Sequence, residues 1–232
     1  MEIGDEKIRY AVQQTEVLRL PSQSLATFGT TNVNYYLLTK PVYADLVNEE
    51  ETVVREGKVS AERPRIVTPS YLTRLEGFGE NARRYLEMVI RQHGPHALGL
   101  LYSYKNESKA LTIVSDRLEV VAGRLSEKID NESDRFAAII KGIDELWDVS
   151  LLKFISELTE RSLRSNLAEL AGRGLLDIDH AGVPRDARYW IESLFQKVAR
   201  GESDPSELKL ELDRWDLFHE YEDRFLNLFR RR

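Results

Sequence analysis

The spacing of apolar residues changes near residue 116, and this change constrains the fold more than any other feature of the sequence. Before it, apolar and polar residues alternate in short runs, so that Val33, Tyr35 and Leu37 fall on one face of a strand. After it, apolar residues recur every three or four positions, the spacing that places them on one face of a helix. The sequence therefore predicts an α+β fold, with a sheet-containing N-terminal half packed with a predominantly helical C-terminal half.

The same change suggests how the chain is organised. Residues 1–115 are expected to form a mixed β/α region with hairpins and one helix, and residues 116–232 a helical region. No stretch rich in proline, glycine or serine marks the boundary, so one continuous domain is an equal alternative.

Local patterns in the first half predict several elements. They are a strand within residues 8–20, a strand over 31–39, a hairpin turn at Glu56-Gly57, a helix over about 80–92, and a second hairpin that pairs 98–104 with 109–115.

In the second half the patterns predict helices. One begins in a capping box of Asp116 and Glu119, one carries Phe136, Ile139, Ile140, Ile143 and Leu146, one runs from about 150 to Gly172, and one begins at Pro184. The segment Asp204-Pro205-Ser206-Glu207 combines an N-cap aspartate with a proline in the first turn, and it predicts a last helix of about 25 residues ending at Phe229.

Composition excludes several classes of protein. The 232 residues include no cysteine, which excludes disulfides, thiolate zinc sites and a cysteine nucleophile. No apolar run approaches the ~20 residues of a membrane helix, and the N-terminal sequence MEIGDEKIRY is too charged for a signal peptide. We therefore expect a soluble, cytoplasmic protein with no membrane partner. The net charge of −6 lowers the expectation of nucleic-acid binding.

No catalytic or cofactor-binding motif is complete. Residues 77–82 match G-x-G-x-x-A but lack the buried strand that precedes a dinucleotide-binding loop. His93 and His96, with acidic residues and a histidine in 177–180, are of the types that bind metals, but the sequence does not bring them together. The carboxylates within 144–148 are of the type used in acid–base catalysis, but adjacent acidic residues are also typical of an exposed helix face. We therefore predict no cofactor, metal or catalytic residue, and an enzyme of unrecognised type stays an alternative.

Residues 150–179 contain a candidate DNA-binding segment. The part from Ser162 to Leu176, S-L-R-S-N-L-A-E-L-A-G-R-G-L-L, resembles the recognition helix of a winged helix-turn-helix domain. The resemblance implies a DNA-binding regulator in which a seam of leucines faces the core and polar residues contact bases, namely Arg161, Arg164, Ser165 and Asn166. The alternative is a helical hairpin or one long helix whose leucines pack on neighbouring elements.

The last predicted helix carries more apolar surface than one buried face requires. A stripe of large side chains already supplies that face, and further leucines extend it on the flanks. Either a neighbouring helix of the same chain, such as that of Tyr189 to Phe195, covers this additional surface, or another protein or a second copy of the chain does. The candidate interface residues are Leu210, Trp215, Leu217, Phe225 and Leu228. The resulting prediction is a non-enzymatic protein-interaction, scaffold or regulatory protein, with DNA binding through 150–179 as the first alternative.

Overall fold

The structure is a computed structural model that describes residues 3–43, 50–68, 71, 87, 90–92, 94 and 98–229. The strands are β1 (Glu16–Arg19), β2 (Thr31–Thr39), β3 (Thr52–Ala61), β4 (Arg65–Val67), β5 (Gly99–Leu101), β6 (Tyr104–Val114) and β7 (Ala137–Lys141). The helices described from end to end are α1 (Ile3–Gln14), α2 (Leu118–Glu132), α3 (Trp147–Gly172), α4 (Arg185–Arg200), α5 (Pro205–Arg214) and α6 (Phe218–Asn227), with a 3-10 turn at Asp144–Leu146. A mixed sheet in the N-terminal half and helices in the C-terminal half confirm the predicted α+β fold.

The chain divides into two compact units. The sheet unit comprises Met1–Arg63 and Tyr102–Leu167, and the helical unit comprises Pro64–Leu101 and Ala168–Arg232. Each unit takes residues from both sides of residue 116, and separate folding of 1–115 and 116–232 stays a prediction.

In the sheet unit, five strands are hydrogen-bonded in the order β1-β7-β2-β3-β6. β7 is parallel to β2, and the other neighbouring strands are antiparallel. Val33, Tyr35 and Leu37 lie on one face of β2, as the alternation predicts, and are buried in a cluster with Phe154 of α3. The opposite face packs against α2, where Leu38 meets a second apolar cluster.

Both predicted hairpins of the first half are wrong, and one predicted strand is short. The strand within residues 8–20 is β1, Glu16–Arg19, and residues 8–14 belong to α1. Glu56-Gly57 is not a turn, because β3 continues through it with a shift of register against β6. A Cβ at Gly57 would overlap the ring of Tyr35, so glycine is required there by a close approach between strands.

The second predicted hairpin is also wrong, since 104–114 is one continuous strand. β6 pairs along its length with β3, whereas β5 pairs with β4. The hairpin pattern arose from the polar residues 105–108, which stay extended because β3 supplies their hydrogen-bond partners.

The predicted helix over 136–146 is wrong for a different reason. Ala137, Ala138, Ile139 and Ile140 are buried in β7, which lies between two other strands of the sheet. A strand buried on both faces has a continuous apolar run, and such a run has no period that distinguishes it from a buried helix. The capping box is wrong too: Arg117 is the N-cap of α2, and Asp116 Oδ1 accepts from the Arg117 amide instead.

In the helical unit, α4, α5 and α6 pack around a core that includes Tyr71, Phe195 and Trp215. The Glu211 carboxylate is buried and accepts from the Tyr71 hydroxyl at 3.1 Å and from Trp215 Nε1 at 3.2 Å. Burial and the Glu211 charge raise the pKa of Tyr71, which keeps its hydroxyl protonated and able to donate. Arg65 Nη1 lies 3.3 Å from Glu211 and balances the carboxylate charge.

The start of the last predicted helix is confirmed, and its length is wrong. Asp204 is the N-cap of α5, and its carboxylate accepts from the Ser206 amide at 2.7 Å. The helix ends at Arg214, and a new one begins at Phe218, because Asp216 adopts a positive φ of 61°. Aspartate is among the few residues that tolerate this left-handed conformation, so no glycine marks the break.

The helix predicted over 80–92 and the glycine motif 77–82 lie wholly or mostly outside the described residues. The helices from about 150 to Gly172 and after Pro184 are confirmed as α3 and α4. In the described part of the chain, no helix is both long and apolar enough to cross a membrane.

Candidate interaction surface

Helices α4 and α6 are joined by two ion pairs that repeat at a four-residue step. Arg188 Nη1 lies 2.6 Å from Glu220 Oε1. One turn further, Arg224 donates to both oxygens of Glu192 at 2.6 and 2.7 Å. Because the paired residue numbers increase together, the two helices run in the same direction. Their carboxyl ends therefore lie side by side.

The first of these pairs is part of a larger network. Arg188 also donates to Asp179 Oδ2 at 2.8 Å and to the Tyr221 hydroxyl at 3.2 Å. Burial lowers the pKa of Arg188, but the three hydrogen bonds outweigh it and the net shift is upward. Burial likewise raises the pKa of Asp179, while the Val183 amide and the Arg188 guanidinium bring it below its usual value. Both groups stay charged, and the network fixes α6 on α4.

Aromatic side chains fill the space under this helix pair. Phe218 and Phe225 have ring centroids 5.6 Å apart, and Phe225 and Phe229 follow at 5.5 Å, both in edge-to-face geometry. Phe195 of α4 stacks on Tyr221 at 5.5 Å. The row begins in the core and ends in solvent, where Phe229 is 49% exposed.

A groove of about 490 Å³ opens where the two helices end. Its floor is apolar and buried, its far wall is the half-buried Leu228, and its lining consists of Phe195, Gln196, Val198, Ala199, Arg224, Asn227 and Leu228. Leu226 and Phe229 are 45% and 49% exposed but do not line the groove, and Leu226 lies on the opposite face of α6 from Arg224 and Leu228. A concave site with buried apolar side chains in its floor is a candidate protein-interaction site.

The predicted interface residues fall into three groups. Trp215 and Leu217 are buried in the core of the helical unit. Leu210 is half-buried on α5, outside the groove. Phe225 and Leu228 are half-buried against that core, and of the two only Leu228 lines the groove.

The sequence offered the helix of Tyr189–Phe195 as a cover for the last helix, and α4 does pack on α6 through Phe195 and Tyr221. Sequence reasoning missed the groove itself, because the pairing of α4 with α6 depends on ion pairs 32 residues apart.

The residues proposed to contact DNA lie on α3, which is continuous from Trp147 to Gly172 with no helix-turn-helix break. Asn166 is 1% exposed, donates to the Tyr102 hydroxyl at 2.9 Å and accepts from Thr27 Oγ1 at 3.2 Å. Arg161 is exposed and donates to the Pro21 carbonyl at 3.1 Å.

Arg164 and Ser165 are the other two residues of this set, and both are exposed. Since the amide of Asn166 is already used inside the sheet unit, base contact by Asn166 would require those hydrogen bonds to break.

The carboxylates considered for catalysis or metal binding have structural partners. Asp144 accepts from Thr39 Oγ1 and from Arg55 Nη1, both at 2.7 Å. Asp179 belongs to the Arg188 network. Among the residues that the structure describes, no group of three or more histidine, aspartate or glutamate side chains is arranged to hold a metal ion. His93 and His96 lie outside the described residues.

A second cleft, of about 560 Å³, lies in the sheet unit beyond the carboxyl ends of the parallel strands β2 and β7. Lys40 and Lys141 line it together with the carboxylates of Glu119, Asp144 and Glu145. Charges of both signs surround the space, so its lining does not select a ligand of one charge.

The chain was compared with protein-family models, with curated proteins and with solved structures, and none of them matches. Functional inference therefore depends on the surfaces described above.

Proposed function

We propose that the protein acts by binding another protein, rather than by catalysis, and that the groove between α4 and α6 is the binding site. The observation that carries the proposal is the groove at the paired helix ends, where the buried Phe195 and Val198 form the floor and the half-buried Leu228 forms a wall. A partner side chain placed in such a concave site buries apolar surface, while the polar lining residues Gln196 and Asn227 offer hydrogen bonds.

Two arginines near the groove indicate the kind of partner. Arg200 ends α4 and is exposed, next to the groove residue Ala199, and Arg224 lines the groove and pairs with Glu192. We therefore propose that the partner segment is an amphipathic helix that places apolar side chains in the groove and acidic residues beside the arginines.

This proposal is tested by selecting, from a displayed library of random helical peptides, those that bind the full-length protein. The enriched peptides should carry apolar residues three or four positions apart together with Asp or Glu. When the selection is repeated with the Leu228→Glu variant as the target, these peptides should not be enriched, because the variant has a charged side chain in the wall of the groove. Affinity for this variant should fall by about tenfold or more, the loss expected for a residue at an interface hot spot.

Two further variants keep this test decisive. Ala199→Glu places a charge at an exposed residue that lines the groove and should weaken binding of the same peptides without loss of helical content. Leu152→Glu, at a leucine of α3 that is 64% exposed, is the matched control and should leave binding unchanged. Enrichment of peptides that bind Leu228→Glu and wild type equally would overturn the groove as the binding site, as would failure to enrich any peptide.

DNA binding is not proposed as a second function. Of its four candidate residues, Asn166 is buried and Arg161 is bound to a backbone carbonyl. No observation on the remaining two, Arg164 and Ser165, favours a nucleic acid over solvent.

A further inference from the structure

Among the strands that the structure describes, β6 is an edge strand of the five-stranded sheet. β6 is 11 residues long and pairs on one side with β3, and no other described strand pairs with its outer side. Such an edge presents unpaired backbone N–H and C=O groups, and proteins ordinarily block edges of this kind with charges, bulges or very short strands. β1, at the opposite edge, is blocked in this way: it has 4 residues and an irregular register after Val17.

The two halves of β6 differ in whether their features oppose pairing with a further strand. The first half carries Lys105, Glu107 and Lys109, and a register shift against β3 falls between Ser108 and Ala110. Both features oppose pairing with another strand. The second half, Ala110–Val114, has the sequence ALTIV with no charge, and it pairs regularly with β3. Residues of this composition have high strand propensity, so this half is open to a further strand.

Two large apolar side chains of the second half are exposed on the same face. Leu111 is 60% exposed and Ile113 is 49% exposed. They are two residues apart in a regular strand and therefore point to the same side of the sheet. A strand added beside them would cover both and would also satisfy the free backbone groups.

We propose that this edge pairs with the same edge of a second copy of the chain, antiparallel, with the two-fold axis at Thr112. In this register Leu111 of each copy faces Ile113 of the other, so the apolar pair is self-complementary. Ala110 faces Val114, and no charged residues meet within the segment. Cross-strand pairs of this kind each contribute to sheet stability. The contact is small, so the dimer dissociates on dilution.

This inference is independent of the α4–α6 groove and is tested by light scattering on the full-length protein, from low micromolar to submillimolar concentration. The mass should rise from 26.8 kDa towards twice that value. Hydrogen exchange at the higher concentration should slow at the amides of 110–114 that point away from β3.

Charge substitutions test the register. Leu111→Glu and Ile113→Lys should each weaken the dimer about tenfold or more, because a charge then faces an apolar side chain. The double variant should recover most of the affinity, since each new carboxylate then faces a new ammonium of the other copy. Both positions are exposed, so the monomer should keep its circular dichroism spectrum.

The controls separate this interface from the groove. Leu228→Glu and Leu152→Glu should leave the dimer unchanged. A wild-type mass that stays at 26.8 kDa throughout would overturn the inference. A dimer that is lost in Leu228→Glu but kept in Leu111→Glu would also overturn it, as would a double variant that is as weak as the single ones.

Discussion

Substitution of Trp215 by alanine is expected to destabilise the helical unit strongly. The indole is 7% exposed, its ring centroid lies 4.7 Å from that of Tyr71, and its Nε1 donates to Glu211 at 3.2 Å. The substitution removes both the packing and the hydrogen bond. Because Trp215 lies where α5 ends, it also supports the break that positions α6.

The magnitude follows from these contacts. Loss of a buried aromatic side chain costs about 3–5 kcal/mol. The lost hydrogen bond is part of that cost, since Glu211 keeps the Tyr71 hydroxyl and the Arg65 guanidinium as donors and is not left unpaired. We therefore expect about 4 kcal/mol, a large part of the ~5–15 kcal/mol by which domains are stable.

Urea denaturation followed by far-ultraviolet circular dichroism measures this loss. With a slope of about 2–3 kcal/mol per molar urea, the midpoint of the transition of the helical unit should fall by roughly 1.3–2 M. Trp215→Phe keeps most of the packing without the hydrogen bond and should lose roughly 1–2 kcal/mol. Tyr189→Ala, at a tyrosine that is 59% exposed on α4, is the control and should change stability by less than ~0.5 kcal/mol. An unchanged midpoint for Trp215→Ala would refute the placement of the indole in the core.

Three further predictions concern the rest of the chain. Gly57→Ala should destabilise the sheet unit by about 1–3 kcal/mol in urea denaturation, because its Cβ overlaps the buried Tyr35 ring. Its control, Gly123→Ala in α2, meets nothing within 4 Å and should stabilise by up to ~1 kcal/mol. Duplex DNA should show no shift with the protein in a low-salt gel, and a salt-sensitive shift lost in Arg164→Ala would contradict this. The pKa of Asp179 is lowered, so its stabilising contribution is present above the ordinary carboxyl pKa and disappears as pH falls through the lowered value. Asp179→Asn should therefore be least stable relative to wild type at neutral pH, and an equal difference at every pH would contradict the assignment.

Local patterns predicted those elements whose signal lies in their own residues. The alternation of Val33, Tyr35 and Leu37 identified β2, and Asp204 with Pro205 identified the start of α5. The fold class followed from these two kinds of pattern together.

The wrong strand and turn predictions share one physical cause: the structure of each segment depends on residues that are distant in the sequence. β7 is a strand because β2 pairs with it, and its apolar run alone does not distinguish strand from helix. β3 passes through Gly57 because β2 and β6 pair with it on both sides. In both cases the deciding partner lies elsewhere in the chain.

The candidate site was predictable in part. Apolar excess on the last helix pointed to Leu228, which lines the groove, and to Phe225, which is half-buried against the core of the helical unit. The same reasoning placed Trp215 and Leu217 at the interface on the assumption of one straight helix. The break at Asp216 buries both, and no glycine or proline announces it.

The most direct test of the proposed function is a fluorescence-anisotropy titration of one selected, labelled peptide against the full-length protein and its variants. Binding should be equal for wild type, Leu152→Glu and Leu111→Glu, and about tenfold or more weaker for Leu228→Glu. It should also weaken with added salt, because acidic side chains of the peptide lie beside exposed arginines. A peptide that binds Leu228→Glu as tightly as wild type would contradict the account.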